Sequence, residues 1–489
     1  MKPRVWAPVA RTVDLVTGDG RRAMHPVAGG WFEADDDLRV GTDYRFAVDG
    51  GEAARPDPRS RWQPAGVDGP SRVDDPAGFG WTDAGWRGVE LSDLVIYELH
   101  IGTFTPGGTF ASAVERLDHV VELGATAVEV MPVAEFSGDR GWGYDGVDLF
   151  APHHAYGGPD GFRAFVDACH RRGLAVILDV VYNHLGPAGN NLARFGPYFT
   201  DRYETPWGSA VNLDGPGSDD VRRFFIDNAC MWLADYHVDG LRLDAVHALF
   251  DASPRHFLAE LAEVVGALGE QLGRRLLLTA EHETADARIV LPRDAGGYGL
   301  DAVWFDEFHH AVHVAFTGER TGYYATFAGL TDLPGIFERA ERIGPGRLVA
   351  CVQNHDQIGN RARGERLSQL TSLPVATLAA SLLLASPFVP LVFQGEEWGA
   401  STPFQYFTDH RDPELARAVT EGRRREFAAF GWRPDEVPDP QDPATFARSV
   451  LDWDELERPP NRAVFDRYRA LLASWRASRH TDSSGFPAV

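Results

Sequence analysis

Lysine is nearly absent from this chain of 489 residues: Lys2 is its only one, and arginine supplies the rest of the 47 basic side chains. That skew reads as the codon bias of a GC-rich genome, not as a surface built for function. Basic charge as a whole is also short, since 71 acidic residues leave a formal net charge of −24. A nucleic-acid partner needs a cationic surface to displace counterions, so this balance excludes one and favours a neutral or cationic ligand. Cysteine is scarce: Cys169, Cys230 and Cys351 are odd in number, far apart and set in apolar runs. They imply buried free thiols and a reducing, cytoplasmic setting, not a disulfide framework. Long apolar runs are missing too, because none approaches the roughly 20 residues that span a bilayer. The opening MKPRVWAPVA lacks the apolar core of a signal peptide, so no membrane partner is expected.

What is present is ordinary globular material, with 44% hydrophobic and 24% charged residues. The length exceeds one ordinary core, which implies a large domain with satellites. Residues 1–50 alternate in short stretches broken by Gly18, Gly20, Gly29, Gly30 and Gly50, the pattern of a small N-terminal β-sandwich. Residues 51–90 are rich in proline, glycine and charge and read as a linker. From Val95 onward, short apolar runs of strand length alternate with segments of helical period, which predicts a parallel α/β sheet. The strands are VIYELH (95–100), TAVEVM (126–131), LAVILDVV (174–181), GLRLDA (240–245), LLLTAE (276–281), AVWFDEF (302–308), LVACV (348–352) and VPLVFQG (389–395).

These runs are as many as close a (β/α)8 TIM barrel, here over residues 91–400. Helices are predicted at 110–123, 161–172, 220–235 and 254–272. A glycine- and proline-rich excursion at 185–219 interrupts the unit after the third strand and should form a small lobe over the barrel mouth. Residues 401–489 read as a helical or irregular extension, with an acidic proline-rich patch, RPDEVPDPQDP, and a polar tail, TDSSGFPAV.

Catalytic groups of such a barrel sit at the C-terminal ends of its strands. Polar residues recur there: Asp179, Asn183 and His184 after strand three, Arg242, Asp244 and His247 at strand four, Glu281 at strand five, and His355 and Asp356 after strand seven. A single carboxylate at a strand end is as readily a helix cap or a salt-bridge partner. Carboxylates converging from several strands are costly to bury unless paired or used, which favours acid–base or nucleophilic work. Glycosidic hydrolysis needs two carboxyl groups flanking the scissile oxygen. Asp244 and Glu281 end adjacent strands about 5 Å apart, close enough for the roughly 5–5.5 Å separation of a retaining enzyme. Arg242 lies two residues before Asp244, on the same face, and can pair with it.

DVVYNH, GLRLDAVH, TAEHE and QNHDQIGN resemble, in order, the conserved regions of the α-amylase family of glycoside hydrolases (family 13). The resemblance runs from about Trp81 to the end of strand eight. It implies Asp244 as nucleophile, Glu281 as general acid and base, and Asp356 as the carboxylate that binds sugar hydroxyls, with His184, Arg242 and His355 lining the same subsite and His247 nearby. RGWGYDGVDLFAPHHAYG resembles the family's loop after strand two, which makes Tyr144 the aromatic platform under the sugar. Trp142, His153, Trp207 and residues 404–407 are weaker candidates, each as well explained by packing.

Within the family, PDPRSRWQPAGVDGPSRV, CVQNHDQIGNRARGERL and PFQYFTDHRDPELARAVTEGRRREF resemble the maltooligosyltrehalose trehalohydrolases. That implies cleavage of the α-1,4 bond beside a terminal trehalose unit, with maltooligosyl trehalose or another α-glucan as substrate and maltooligosyltrehalose synthase as a pathway partner. The alternatives are a 1,4-α-glucan branching enzyme and a catalytically dead sugar-binding scaffold; the latter is disfavoured by the presence of all three carboxylates.

Glu281 is preferred over Glu283 as the acid because it stands at the strand end, and Glu283 is expected to point away. The resemblance also implies a C-terminal β domain, for which no alternating strands follow Arg425, and an N-terminus with a few residues before its first strand. No metal and no organic cofactor are expected, since the 185–219 excursion offers no cage of oxygen ligands for calcium.

Overall fold

The computed structural model describes residues 1–428 and 431–481. Eight parallel strands close into a barrel: β1 (Ile96–Leu99), β2 (Ala127–Val130), β3 (Ala175–Val180), β4 (Gly240–Leu243), β5 (Leu277–Ala280), β6 (Ala302–Trp304), β7 (Leu348–Cys351) and β8 (Val389–Phe393). β8 returns to pair with β1, so no edge is left open. Each strand is buried on both faces, and the residues sort by the two-residue period of the pleat. Along β3, Ala175 and Ile177 join the barrel interior, whereas Val176, Leu178 and Val180 pack outward with the core beneath the helices. The interior is apolar at its N-terminal end, with Ile96, Ala127, Ile177, Leu277, Val349 and Leu391. One pleat further along it carries Glu98, Glu129, Asp179 and Arg242, all buried. Register sets Glu98 beside Glu129 and Asp179 beside Arg242.

Helices α1 (Gly158–His170), α2 (Ser218–Asp235), α3 (Phe257–Leu272), α4 (Asp306–Thr317), α5 (Leu333–Ile343) and α6 (Leu373–Ala385) return the chain between strands. α3 buries Phe257, Leu258, Leu261 and Val265 and stops at Gly273, whose φ of 62° suits a residue without a Cβ. The segment expected as one helix at 110–123 is two, Phe110–Val114 and Leu117–Leu123. A capping box between Thr109 and Ser112 starts the first, and Arg116 (φ −110°, ψ 0°) breaks the run between them. The sixth strand is shorter than its apolar run suggests: Asp306, Glu307 and Phe308, expected as strand, already belong to α4.

Two antiparallel sheets precede the barrel, one of three strands and one of four. The fourth strand of the larger, Ser71–Arg72, lies inside the stretch read as a linker, and it pairs with Asp43–Val48. Asp57, Ser60 and Gln63 of the same stretch are buried. Residues 51–90 are therefore partly built into the sandwich, because hydrogen bonds such as Tyr44 Oη to Asp57 (2.8 Å) satisfy their polar groups. Of the cysteines, Cys169 and Cys351 are buried and Cys230 is only half-buried; all three are free.

The 185–219 excursion contains an antiparallel hairpin, Phe199–Thr205 with Gly208–Val211. Beyond β8, the described residues form helices α7 (Pro413–Ala428) and α8 (Asn461–Thr481), a short helix at Pro443–Ser449, and connecting turns. α8 packs Phe465, Tyr468, Leu472 and Trp475 into the main core. The tail at 482–489 lies outside the described residues. No helix among them is long and apolar enough to cross a membrane.

Candidate active site

Arg242 is the centre of the barrel mouth. It is fully buried and lies over the face of Trp304, with its guanidinium carbon 4.3 Å from the ring centroid. Nη1 donates to both oxygens of Asp179 (2.9 and 2.9 Å) and to Oδ1 of Asp244 (2.8 Å), and Nη2 donates to Oε2 of Glu281 (3.0 Å). Burial opposes charge on this group, but the surrounding carboxylates outweigh it and raise its pKa well above the usual value. One cation from β4 thus ties together a carboxylate of β3 and the carboxylates that directly follow β4 and β5.

Asp244 follows β4 directly. Its Oδ2 accepts from Asn183 Nδ2 (2.7 Å), so both oxygens are held before any ligand arrives. The next residue, Ala245, has φ 40° and ψ 52°, a left-handed conformation unfavourable for a residue with a Cβ. The consequence is that the Ala245 N–H donates to Glu281 Oε2 at 2.8 Å, and the Val246 N–H to the Glu281 carbonyl at 3.0 Å. Both hydrogen bonds to the Glu281 carboxyl end on Oε2, and Oε1 is left for a ligand.

A second chain of contacts enters from β1. Glu98 accepts from His355 Nδ1 (2.5 Å) and from the His355 N–H (3.0 Å). His355 Nε2 lies 2.7 Å from Tyr144 Oη, which donates to Asp179 Oδ2 at 2.6 Å. Burial disfavours a charged His355, yet Glu98 and then Asp356 overcome it and lift its pKa to about 9. The ring is therefore protonated at neutral pH and donates through both nitrogens. Asp179 is pushed up to about 7 by burial, against the pull of Arg242. His184 is fixed between Asn183 Oδ1 (2.5 Å) and the Tyr144 carbonyl (3.0 Å), and Trp207 from the excursion stacks on it at 5.1 Å.

These residues surround a cavity of about 640 Å³, lined by Tyr144, His184, Asp244, His247, Glu281 and Asp356 among others. Two residues expected to line the subsite do not: Arg242 and His355 are fully buried behind the wall and act through the side chains in front of them. The weaker candidates divide. Trp142, Trp207 and Tyr406 reach the cavity, whereas Phe404, Phe407 and His153 are buried in packing.

Glu283 also corrects an expectation. It lines the cavity instead of pointing away: residues two apart share a face along a pleat, so its spacing from Glu281 favours the same side, and it is exposed at the rim. Sequence reading passed over Glu98, Glu129 and Asp306. Asp306 lines the cavity, and burial, reinforced by Glu281 and Asp356, raises its pKa to about 7. A lone acid inside an otherwise apolar strand was the available signal for Glu98 and Glu129.

The catalytic-domain description of the α-amylases matches residues 70–195. The malto-oligosyltrehalose trehalohydrolase of Arthrobacter ramosus is 52% identical over 96% of this chain and 86% of its own length. A crystal structure described as a putative α-amylase from Salmonella typhimurium superposes with a TM-score of 0.90 at 41% identity, covering 97% of this chain and 84% of that one. The branching enzyme of Shewanella sp. (strain MR-4) is 32% identical over only 61% of this chain. The chain belongs to the malto-oligosyltrehalose trehalohydrolase family, within the α-amylase fold.

Proposed function

We propose that this protein is a retaining glycoside hydrolase that cleaves the α-1,4 bond next to the terminal trehalose of maltooligosyl trehalose, releasing trehalose and a maltooligosaccharide. Asp244 attacks the anomeric carbon while Glu281 gives its proton to the departing glycosidic oxygen, so one C–O bond forms as the other breaks. Glu281, now a carboxylate, takes a proton from water, whose oxygen displaces Asp244 and restores both groups. Asp356 binds hydroxyls of the same sugar, and Tyr144 supports its apolar face.

The chemistry is supported above all by the single guanidinium that holds Asp244 and Glu281 together. The choice of substrate is supported by similarity to the Arthrobacter trehalohydrolase along nearly the whole chain. The three free cysteines support a cytoplasmic setting, where a maltooligosyltrehalose synthase would supply the substrate.

The test is product analysis after incubation with maltopentaosyl trehalose and, separately, with maltoheptaose. Free trehalose from the first with little cleavage of the second is the expected result. Branched glucans from a linear one would replace this reading with glycosyl transfer, and no reaction by folded protein would replace it with a scaffold role.

A further inference from the structure

The loop that carries Trp142 and Tyr144 leaves the barrel through a two-residue strand, Ala134–Glu135, and returns through Asp148–Pro152, antiparallel to it. His153 and His154 follow the return strand directly. At this neck His154 Nδ1 lies 2.8 Å and His153 Nδ1 3.2 Å from the same atom, Glu135 Oε1. Glu135 and His153 are completely buried; the only polar contact of His153 Nδ1 is this one with Glu135, too poorly aligned to be a full hydrogen bond, and Nε2 finds no partner among the described residues. A buried imidazole left in that state costs free energy that a paired one does not. An ion pair between Glu135 and His154 leaves this cost in place. These three residues are also the only group of histidine, cysteine or carboxylate side chains among the described residues with ligand atoms close enough to share an ion, all lying within 4.8 Å of one another.

We propose that Glu135 Oε1, His153 Nδ1 and His154 Nδ1 bind a divalent transition metal of the zinc class, with water as the fourth ligand, and that the ion clamps the neck of the substrate-binding loop. Two imidazoles and one carboxylate suit zinc or cobalt; calcium and magnesium prefer all-oxygen shells. Metal–ligand bonds of about 2.0–2.1 Å in a tetrahedron place ligand atoms roughly 3.3 Å apart; Glu135 Oε1 lies 2.8 and 3.2 Å from the two imidazole nitrogens, and those nitrogens are within 4.8 Å of each other. The remote nitrogen of His154 is 3.2 Å from Asp139 Oδ1, the outer-shell carboxylate contact that orients a ligating histidine. Asp139 is exposed and His154 is partly so, giving an ion a route from solvent. Asp244 and Glu281 take no part, so the proposal stands apart from the hydrolytic reading.

The full chain, stripped with a chelator and dialysed, should take up one equivalent of zinc by titration calorimetry and melt at a higher temperature when loaded. Cobalt should give the visible absorption of a four-coordinate centre. Asp139→Asn should weaken binding by about 10–100-fold, the range for outer-shell partners, and His154→Gln by more. His154 is partly exposed, so its substitution keeps the fold testable where His153→Gln fails to fold. Absence of saturable one-equivalent binding by the unmodified chain would overturn the proposal, as would equal zinc affinity in the His154→Gln protein.

Discussion

The two ends of the barrel each bury a network of carboxylates, histidine and arginine, but only one of them is open. At the N-terminal end Asp239, just before β4, accepts from Trp86 Nε1 (2.7 Å), Arg274 Nη2 (3.1 Å), His170 Nε2 (2.8 Å) and the Val176 N–H (2.9 Å). Asp83 closes the other side, lying 2.8 Å from both His170 Nδ1 and His237 Nδ1. Both oxygens of Asp239 are consumed, and no ligand has access to them. At the C-terminal end, Glu281 keeps Oε1 in reserve and faces a cavity, as Asp244 and Asp356 do. Buried charge therefore does not mark a site by itself. What separates the ends is whether the network leaves acceptor or donor capacity toward open space.

Substitution at equivalent carboxylates should break the comparison most sharply. Asp244→Asn should lower kcat by about 10⁴-fold or more, since it removes the attacking group, and leave the urea midpoint near that of the parent. Asp239→Asn should do the reverse: it strands His170 and Arg274 and should cost about 3–5 kcal/mol of stability, while the folded fraction keeps its kcat. Urea unfolding monitored alongside initial rates checks both. If Asp239→Asn abolished turnover in folded protein, the division between the ends would be wrong.

A smaller effect should come from Tyr144→Phe. The ring remains to support a sugar, but Asp179 and His355 lose the hydroxyl between them, an expected cost of about 1–3 kcal/mol for buried groups left unpaired. A fall in kcat/KM of at least roughly fivefold with little change in product pattern is expected.

The mildest test uses pH. Burial opposes the charge on His355, but Glu98 and Asp356 raise its pKa to about 9, so its contribution is complete below the unfolded value near 6.5 and is lost as pH rises through 9. Asp179 and Asp306, raised by burial to about 7, act in the same direction between their unfolded values near 4 and pH 7. The melting temperature should thus decline from about pH 6 to pH 9. Glu98→Gln should flatten the upper half of that decline, and a profile unchanged by Glu98→Gln would detach Glu98 from His355.

Much of this site was legible along the chain because pleat direction is local. Arg242 and Asp244 share a face by their spacing alone, and DVVYNH, TAEHE and QNHDQIGN stand at strand ends wherever the strands begin. Glu98 and Glu129 were not legible as site residues. Each sits in one apolar run, and only the pairing of β1 with β2 and the closure onto β8 turns both inward beneath the mouth. Asp306 was read as strand because the apolar run AVWF leads straight into it and Phe308 follows, yet the chain turns into α4 after Phe305. Local propensity does not decide that turn; packing of Phe308, Ala311 and Val312 into the core does.

By itself, then, the sequence determined the alternation of strand and helix, the barrel it implies and the residue types at the strand ends. These depend on periodicity within a few residues. Tertiary structure alone decided that one guanidinium bridges Asp179, Asp244 and Glu281, that Ala245 turns its N–H onto the acid, that His355 works from behind the wall, and that Glu135 meets two histidines at the neck of the loop. Each of those contacts joins atoms from segments whose approach is set by barrel closure and loop path, and these are fixed by the packing of the whole chain.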